Sequence, residues 1–381
     1  MVFAISVPAN SSRLFSSVEE AKSQPAALLK LEACVGSANE GYLFNKEFDA
    51  TKIKHDGSYC AENQIHEENS WKNILIFLER LKQNSYNIQV IDIGCGQGEI
   101  VSKCDEVGIS AIGFDPTLRT TRRNLIKQYF SAESLRANDL HDSNALHVFV
   151  MRCVLPHVNN PWAFLNDIFI EFPASLIYLE FQNLDVILKL KAWYSFMHDH
   201  VNYFTIDSFR NYNMIDSGNF GEWSWVCLGV GSLQAADRNS FAKYLRNFVS
   251  NSSSANNFGR GWMTMLDEAE SIIEQQQRSL KQIAQVVMSS TLVVYSAAGK
   301  GINFSYAAET SDLFASIIAV DISENRQGKF MECSGVPILS LDEFSKTNNL
   351  TAGVVILNKE HEGYARNRLD RTSKFITLPM Q

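Results

Sequence analysis

Three glycines at alternate positions follow a β-branched run in the stretch VIDIGCGQG, residues 90–98. Gly94, Gly96 and Gly98 allow a backbone to approach a ligand closely, and a helix N-terminus behind them favours an anionic group. Asp115 follows Gly98 by 17 residues and ends the next β-branched run. A carboxylate at that position can accept hydrogen bonds from both hydroxyls of a ribose. The spacing therefore predicts a nucleoside-containing cofactor at this loop.

The residues around the loop distinguish between two classes of cofactor. Dinucleotides bind at the spacing GxGxxG, whereas this loop has the spacing GxGxG. Asp92 precedes the first glycine, where its charge would repel a pyrophosphate but attract an ammonium group. S-adenosylmethionine carries an ammonium, a carboxylate and a ribose, and it has no phosphate. The sequence therefore predicts S-adenosylmethionine, against the alternative of a glycine turn that binds no ligand.

The loop belongs to a series of short apolar runs that are typical of buried strands. Four such runs lie at 88–94, 110–115, 147–152 and 174–181. Because gaps of helical length separate them, the pattern predicts an α/β fold with a parallel sheet. Before the first run, residues 70–83 place their apolar side chains on one helical face, with Ser70 as the predicted N-cap.

A second series of strands begins after a polar stretch at 248–262. A long helix is predicted at 266–287, followed by a strand and a glycine turn at 291–301. The next apolar run ends in Asp321, and further runs follow it. The chain therefore contains a strand, a glycine loop and a strand-end acid twice.

The composition limits the partners of the chain. Its 381 residues carry a net charge of −8 and no long basic run, which argues against a nucleic-acid binder. The 7 cysteines are scattered and form no CxxC pair, as expected for free thiols in a reducing cytoplasm. No stretch approaches the roughly 20 apolar residues of a membrane span, and we read no signal peptide. We therefore expect a cytoplasmic protein that acts on a small-molecule substrate, without a membrane or nucleic-acid partner.

The sequence IDIGCGQGE followed by GFDP resembles the core of the class I S-adenosylmethionine-dependent methyltransferases. The whole chain resembles the three-domain sugar C-methyltransferases, which act on nucleotide-linked 4-keto deoxysugars. Four further stretches carry this resemblance: GYLFNKEFDATKIKHDGSYCAENQIH (41–66), RCVLPH (152–157), HDHVNYFT (198–205) and AVDISENRQGKFMECSGVPILSLDEF (319–344). The resemblance implies a class I methyltransferase Rossmann-like domain and a second, C-terminal Rossmann-like α/β domain.

The resemblance also implies domain boundaries. We expect an N-terminal segment at 1–69, a methyltransferase domain at 70–247, a linker with the long helix at 248–290 and a C-terminal domain at 291–381. The family carries a small zinc module on N-terminal cysteines. Here Cys34 is present but its CxxC partner is replaced, so we expect no metal.

The reaction implied by the resemblance is methyl transfer to carbon. A base removes a proton next to the sugar ketone, and the enolate attacks the sulfonium methyl in line, in a dry and oriented site. By position, His200 matches the family's base and Asp199 matches a neighbouring glutamate. His157 matches a pocket histidine, and Tyr59 matches an N-terminal tyrosine that reaches the site. Gln128, which we expect just after a helix, is a predicted adenine contact.

Each of these residues has a structural alternative. In an extended HDH stretch, His198 and His200 would share one face and Asp199 would lie on the other. That arrangement is also typical of a surface strand or of a satisfied histidine pair. His157 is equally consistent with a core position, and Tyr59 with a packing role. A metal site is not predicted here, because alternate residues of one strand rarely complete a coordination shell.

Departures from the family pattern leave the acceptor open. Pro156 replaces a glutamate, and Met197 stands where the family often has a tyrosine. A methionine cannot donate a hydrogen bond to an enolate or a ketone. The alternatives are an O- or N-methyltransferase, and a binding protein that kept the fold and lost the chemistry. A further alternative is an NAD enzyme that uses the second loop, where Lys300 could meet a diphosphate.

Overall fold

The computed structural model describes residues 4–36, 40–55, 64–83, 86–229, 261–287, 291–346, 352–357, 361–369 and 374–378. The strands in these ranges are β1 Ile5–Val7, β2 Leu14–Phe15, β3 Ala27–Leu29, β4 Leu31–Val35, β5 Gly41–Asn45, β6 Ile88–Ile93, β7 Ser110–Phe114, β8 Leu125–Ile126, β9 Leu146–Arg152, β10 Leu176–Gln182, β11 Asn202–Tyr203, β12 Asn213–Phe220, β13 Trp223–Gly229, β14 Thr291–Tyr295, β15 Ser316–Val320, β16 Phe330–Met331, β17 Ile338–Leu339, β18 Gly353–Ile356 and β19 Lys374–Thr377. The α-helices are α1 Val18–Lys22, α2 Gln64–Gln83, α3 Glu99–Glu106, α4 Ala132–Arg136, α5 Pro161–Glu171, α6 Leu184–Lys189, α7 Trp262–Glu274, α8 Gln276–Val287, α9 Lys300–Glu309, α10 Leu341–Lys346 and α11 Glu362–Arg368. Within the described ranges, no helix combines the length and the apolar content needed to cross a bilayer.

The larger sheet has seven strands in the order β12-β13-β10-β9-β6-β7-β8. The five strands from β10 to β8 run parallel, and β13 is antiparallel to both of its neighbours. Every residue of β6 and of β10 is buried, as expected for parallel strands that are covered on both faces. Since β7 lies on one side of β6 and β9 on the other, the switch point of this doubly wound sheet opens beyond Ile93.

The second sheet has five parallel strands in the order β17-β15-β14-β18-β19. Its central strand β14 has β15 on one side and β18 on the other, so a second switch point lies beyond Tyr295. Helix α9 begins at this point with Lys300. The structure therefore confirms the predicted fold class, an α/β chain with two Rossmann-like sheets.

The N-terminal residues pack against the second sheet. β2 pairs in antiparallel fashion with β16, which follows β15 in the chain. Leu14 and Leu31 belong to the same hydrophobic cluster as Val294 of β14 and Ile302 of α9. β4, β5 and β11 form a small antiparallel sheet of their own. This packing brings the first described residues next to the second glycine loop.

Two predicted helices differ from the observed ones. The helix predicted at 266–287 is two helices, α7 and α8, which are separated at Gln275. The polar side chains around Gln275 are not buried, so no packing holds a single axis through this stretch. The predicted N-cap at Ser70 is wrong, because α2 already includes Gln64. Ser70 lies inside the helix, where its buried hydroxyl donates to Oε2 of Glu180 at 2.6 Å.

Replacing Ser70 with alanine should lower the free energy of unfolding. The hydroxyls of Ser70 and Tyr178 each donate to the buried Glu180 carboxyl group, at 2.6 and 3.0 Å. Removing one partner of a buried acceptor costs about 1–3 kcal/mol. Urea unfolding of Ser70→Ala should show this loss, whereas Ser143→Ala, at an exposed serine, should stay within about 0.5 kcal/mol of the parent. Equal unfolding midpoints for the two variants would contradict the role assigned to Ser70.

Candidate active site

The first glycine loop connects β6 to α3 at the switch point of the larger sheet. Its glycines have positive φ, +71° at Gly94, +59° at Gly96 and +90° at Gly98, which other residues rarely adopt. A Cβ at Gly94 would lie 2.4 Å from Cγ2 of Val154, and one at Gly98 would lie 2.6 Å from Cδ1 of Leu125. These two positions therefore have no room for a side chain, and they hold the loop close to β8 and to the segment after β9.

Gly96 lies on the open side of the loop. Of the residues that the structure describes, only the Glu99 side chain would lie within 4 Å of a Cβ there, with its Oε2 at 3.7 Å. The Gly96 amide donates to Oδ2 of Asp115 at 2.9 Å. Oδ1 of Asp115 accepts from the amide and the hydroxyl of Thr117, at 2.7 and 2.6 Å. The structure thus brings the glycine loop and the strand-end acid together, with space above the loop at Gly96.

The side chain of Asp92 is a buried carboxyl group next to the glycine loop. It is fully buried, and within the described ranges neither carboxylate oxygen has a hydrogen-bond partner. Burial raises the pKa of Asp92 to about 7; the positive charge of Arg152 opposes this, and the charges of Glu99 and Asp115 add to it. A buried carboxylate is costly without a cation or donors, so this site fits a ligand that brings one. The ammonium of S-adenosylmethionine is such a group.

The helix predicted before Gln128 is wrong. The stretch NLIKQYF contains β8 instead, which pairs in parallel with β7. Leu125 pairs with Gly113, and a Cβ at Gly113 would lie 2.9 Å from Cδ2 of Leu125. This close packing on the sheet selects a strand over a helix. Gln128 follows the strand with an exposed side chain, and its contact with adenine stays a prediction.

Two histidines meet beyond β9, close to the glycine loop. His157 lies in the 3₁₀ turn Leu155–His157, and its ring centroid is 4.8 Å from that of His200, with the ring planes at 83°. Nδ1 of His157 donates to the backbone oxygen of Asp199 at 2.6 Å. Because a carbonyl can only accept, Nδ1 carries the proton, and in the neutral ring Nε2 then carries the lone pair.

His200 is an uncharged imidazole at neutral pH. Burial and the neighbouring His157 lower the pKa of His200 to about 4; the charge of Asp199 opposes this and that of Lys300 adds to it. Within the described ranges, neither ring nitrogen of His200 hydrogen bonds to another residue. The ring can therefore accept a proton or a hydrogen bond from a bound substrate.

The HDH stretch lies in bends before β11 and is not a strand, so the predicted alternation of faces does not apply. His198 is fully buried among N-terminal residues. Its Nδ1 donates to the backbone oxygen of Leu28 at 2.8 Å, and its Nε2 accepts from the amide of Asp49 at 3.2 Å. Both nitrogens of His198 are satisfied by the backbone, so this histidine has a structural role.

The Asp199 carboxylate contacts the N-terminal part of the chain. The residue is 3% exposed, and its Oδ2 accepts from the amide and the hydroxyl of Ser11, at 2.7 and 2.8 Å. Met197 and Pro156 are both buried. The Tyr203 hydroxyl donates to the backbone oxygen of Met197 at 2.9 Å. These contacts make Asp199 a residue that holds the stretch in place.

Other residues of the site lie outside the described ranges or outside any motif. Tyr59, the predicted N-terminal tyrosine, is not among the described residues. Among those that are described, no group of three or more His, Cys, Asp or Glu residues could hold a metal ion. Sequence analysis missed Ser11 and Glu222. A contact between residues 188 positions apart, such as that of Ser11 with Asp199, leaves no local signal.

The second glycine loop repeats one contact of the first. The amide of Ala297 donates to Oδ2 of Asp321 at 2.7 Å, as the amide of Gly96 does to Asp115. Asp321 also forms a buried ion pair with Arg326 at 3.1 Å. The acid that would bind a ribose at this loop is therefore already neutralised by the chain itself.

The donors of the second loop are bonded as well. The amide of Gly299 donates to the backbone oxygen of Ser11 at 2.6 Å. Lys300 forms an ion pair with Glu222 from the turn between β12 and β13. The groups that could meet a diphosphate thus have partners within the protein, which argues against NAD at this loop.

The comparisons with known proteins concern the region that contains the first glycine loop. A family model described as a methyltransferase domain matches residues 63–213. No curated protein matches the sequence. A solved structure titled "Crystal structure of PH0226 protein from Pyrococcus horikoshii OT3" aligns at 13% identity over 45% of this chain and 92% of its own, with a TM-score of 0.32.

The matched range contains the parts of the site described above. It includes the glycine loop, Asp92, Asp115 and the two histidines His157 and His200. The second glycine loop lies outside it. Residues 63–213 therefore form a methyltransferase domain.

Proposed function

We propose that this chain is an S-adenosylmethionine-dependent C-methyltransferase that acts on a nucleotide-linked keto-deoxysugar or a related small molecule through an enolate. The observation that carries the cofactor assignment is the buried carboxyl group of Asp92 at the glycine loop, which has no hydrogen-bond partner among the described residues. The resemblance of the HDH and C-terminal stretches to the sugar C-methyltransferases supports the acceptor.

The crevice at the first glycine loop would contact the cofactor through three residues. Asp92 would pair with the ammonium group, and the open side of Gly96 would let the ligand approach the backbone. Asp115 would accept from the ribose, since among the described residues its Oδ2 accepts a single hydrogen bond, from the Gly96 amide. S-adenosylmethionine supplies an electrophilic methyl group on a sulfonium sulfur when it is bound.

His200 would take the proton from the acceptor. Its low pKa makes it a weak base, but an enolate beside it would attract the imidazolium and raise that pKa. His157 would accept a hydrogen bond from a substrate hydroxyl at Nε2, because its Nδ1 is bound to Asp199.

The low pKa of His200 also favours a second candidate reaction, methyl transfer to oxygen or nitrogen. A hydroxyl or ammonium acceptor loses its proton more readily than a carbon does, so a weaker base is sufficient. The location of the new methyl group in the product separates the two candidates.

Replacing Asp92 with asparagine should weaken binding of S-adenosylhomocysteine, which carries the same ammonium group. Losing a buried charge-assisted contact should lower the affinity by about tenfold or more, as measured by isothermal titration calorimetry. Asp167→Asn, at an exposed position of α5, is the matched control and should bind like the parent. Equal affinities of the two variants would remove Asp92 from the cofactor site.

The pH dependence of this binding follows from the raised pKa of Asp92. An ammonium group binds the ionised carboxylate, so below a pKa of about 7 binding must release a proton. The affinity for S-adenosylhomocysteine should therefore fall by about tenfold from pH 8 to pH 6. Asp92→Asn should lose this slope, whatever other groups titrate in the same range. A parent affinity independent of pH over that range would argue against an ammonium contact at Asp92.

Methyl transfer should occur to the carbon next to the ketone of a nucleotide-linked 4-keto deoxysugar. Incubation with S-adenosylmethionine that carries a ¹³C-labelled methyl group, followed by NMR, locates the new bond. His200→Gln should lower kcat by about 10²–10⁴-fold, as for loss of a general base, without weakening S-adenosylhomocysteine binding. His141→Gln, in the loop before β9, is the control and should keep the parent kcat.

The outcomes of this assay are distinct. A labelled methyl on oxygen or nitrogen would select the second candidate. If the protein binds S-adenosylhomocysteine but methylates none of the nucleotide-linked keto sugars tested, it is a binding protein without methyltransferase activity. An unchanged kcat in His200→Gln would assign the proton to another residue.

A further inference from the structure

A short N-terminal segment crosses the space between the histidine pair and the second glycine loop. We call residues Asn10–Arg13 the N-terminal strap. All four of its residues are polar and at least nine-tenths buried. Polar side chains are rarely buried to this extent without partners, so their contacts indicate what the strap does.

Both ends of the strap are fixed to the C-terminal half of the chain. The amide and the side-chain nitrogen of Asn10 donate to the two oxygens of Glu332, at 2.8 and 3.1 Å. Arg13 forms an ion pair with the same carboxylate at 3.3 Å. Glu332 is 1% exposed, so these contacts are shielded from water. They hold the strap in place independently of its central serine.

Ser11, in the middle of the strap, connects the second glycine loop with the segment that contains Asp199. Its backbone oxygen accepts from the amide of Gly299 in the second glycine loop at 2.6 Å. Its own amide and hydroxyl donate to Oδ2 of Asp199 at 2.7 and 2.8 Å. Oδ1 of Asp199 is buried and has no hydrogen-bond partner within the described ranges. Ser11 is therefore the sole hydrogen-bond partner of the Asp199 side chain in the part of the chain that the structure describes.

Asp199 connects Ser11 to the histidine pair, because its side chain bonds Ser11 and its backbone oxygen bonds His157. Its backbone oxygen accepts from Nδ1 of His157 at 2.6 Å, and the ring of His157 lies edge-on to that of His200 at 4.8 Å. The direction of the Asp199 carbonyl therefore decides which nitrogen of His157 carries the proton.

We infer that Ser11 is a positioning residue for His157, which it holds, through Asp199, in the tautomer with its lone pair on Nε2. Ser11 contacts no reacting atom. It acts on a residue that presents an acceptor to the substrate, so its kinetic effect rests on the proposed function. The tautomer of His157 does not, because it is a property of the protein without turnover.

The test compares Ser11→Ala with Ser16→Ala in the full chain. Ser16 is exposed, and its hydroxyl donates to Glu20 on the surface, so it is a matched serine nearby in the sequence. Long-range ¹H–¹⁵N NMR of the histidine rings, with S-adenosylhomocysteine added, reports the tautomer of His157. We expect a single Nδ1–H tautomer in the parent and in Ser16→Ala, and a mixture of tautomers in Ser11→Ala.

Kinetics provide the second readout. Ser11→Ala should lower kcat by about tenfold with an unchanged KM for S-adenosylmethionine, as for loss of one hydrogen bond to a charged group. Ser11→Thr keeps the hydroxyl and should restore both kcat and the single tautomer. If Ser11→Ala does not fold, Ser11→Cys replaces it, since a thiol of similar size is a weak donor.

The inference is overturned if the His157 tautomer in the Ser11 variant matches that in Ser16→Ala. It is also overturned if Ser11→Thr behaves like Ser11→Ala while both are folded. A parent protein with no turnover but with the single tautomer, lost in Ser11→Ala, would reject the proposed function and retain the positioning role.

Discussion

The two Rossmann-like sheets depend on the same contact. In each, a carboxylate at the end of one strand accepts a hydrogen bond from a backbone N–H in the glycine loop that follows the neighbouring strand. Asp115 accepts from Gly96 in this way at 2.9 Å, and Asp321 accepts from Ala297 at 2.7 Å. Parallel neighbours end at the same edge of a sheet, so the acid and the loop meet without any long-range arrangement. The contact keeps each loop over its switch point, where a crevice forms.

The two crevices then differ in what the rest of the chain does with them. In the part of the chain that the structure describes, the first keeps a buried Asp92 without a hydrogen-bond partner and an open face at Gly96, so it fits a ligand with a cationic group. In the second, Arg326 neutralises the strand-end acid and Glu222 pairs with Lys300. One fold element thus yields one site suited to a cofactor and one bonded within the protein. Function follows from the side chains around the loop and not from the fold alone.

Electrostatics link the second loop to the proposed chemistry. Lys300 pairs with Glu222, and its charge also helps to lower the pKa of His200. The strap joins the same two regions, because Ser11 bonds both Gly299 and Asp199. The histidine pair is therefore set by three parts of the chain: the segment after β9, the N-terminus and the second sheet.

The sequence by itself determined the strands β6, β7, β9 and β10, the fold class and the glycine loop with its acid, because these depend on local periodicity and on residues close together in the chain. It did not show that Ser70 lies inside α2, where its hydroxyl bonds the buried Glu180, or that Leu125 lies in a strand packed against Gly113. Nor did it place Ser11 beside Asp199, 188 residues away. Only tertiary structure brings such groups together, because a hydrogen bond between distant residues requires no particular pattern in the sequence around either of them.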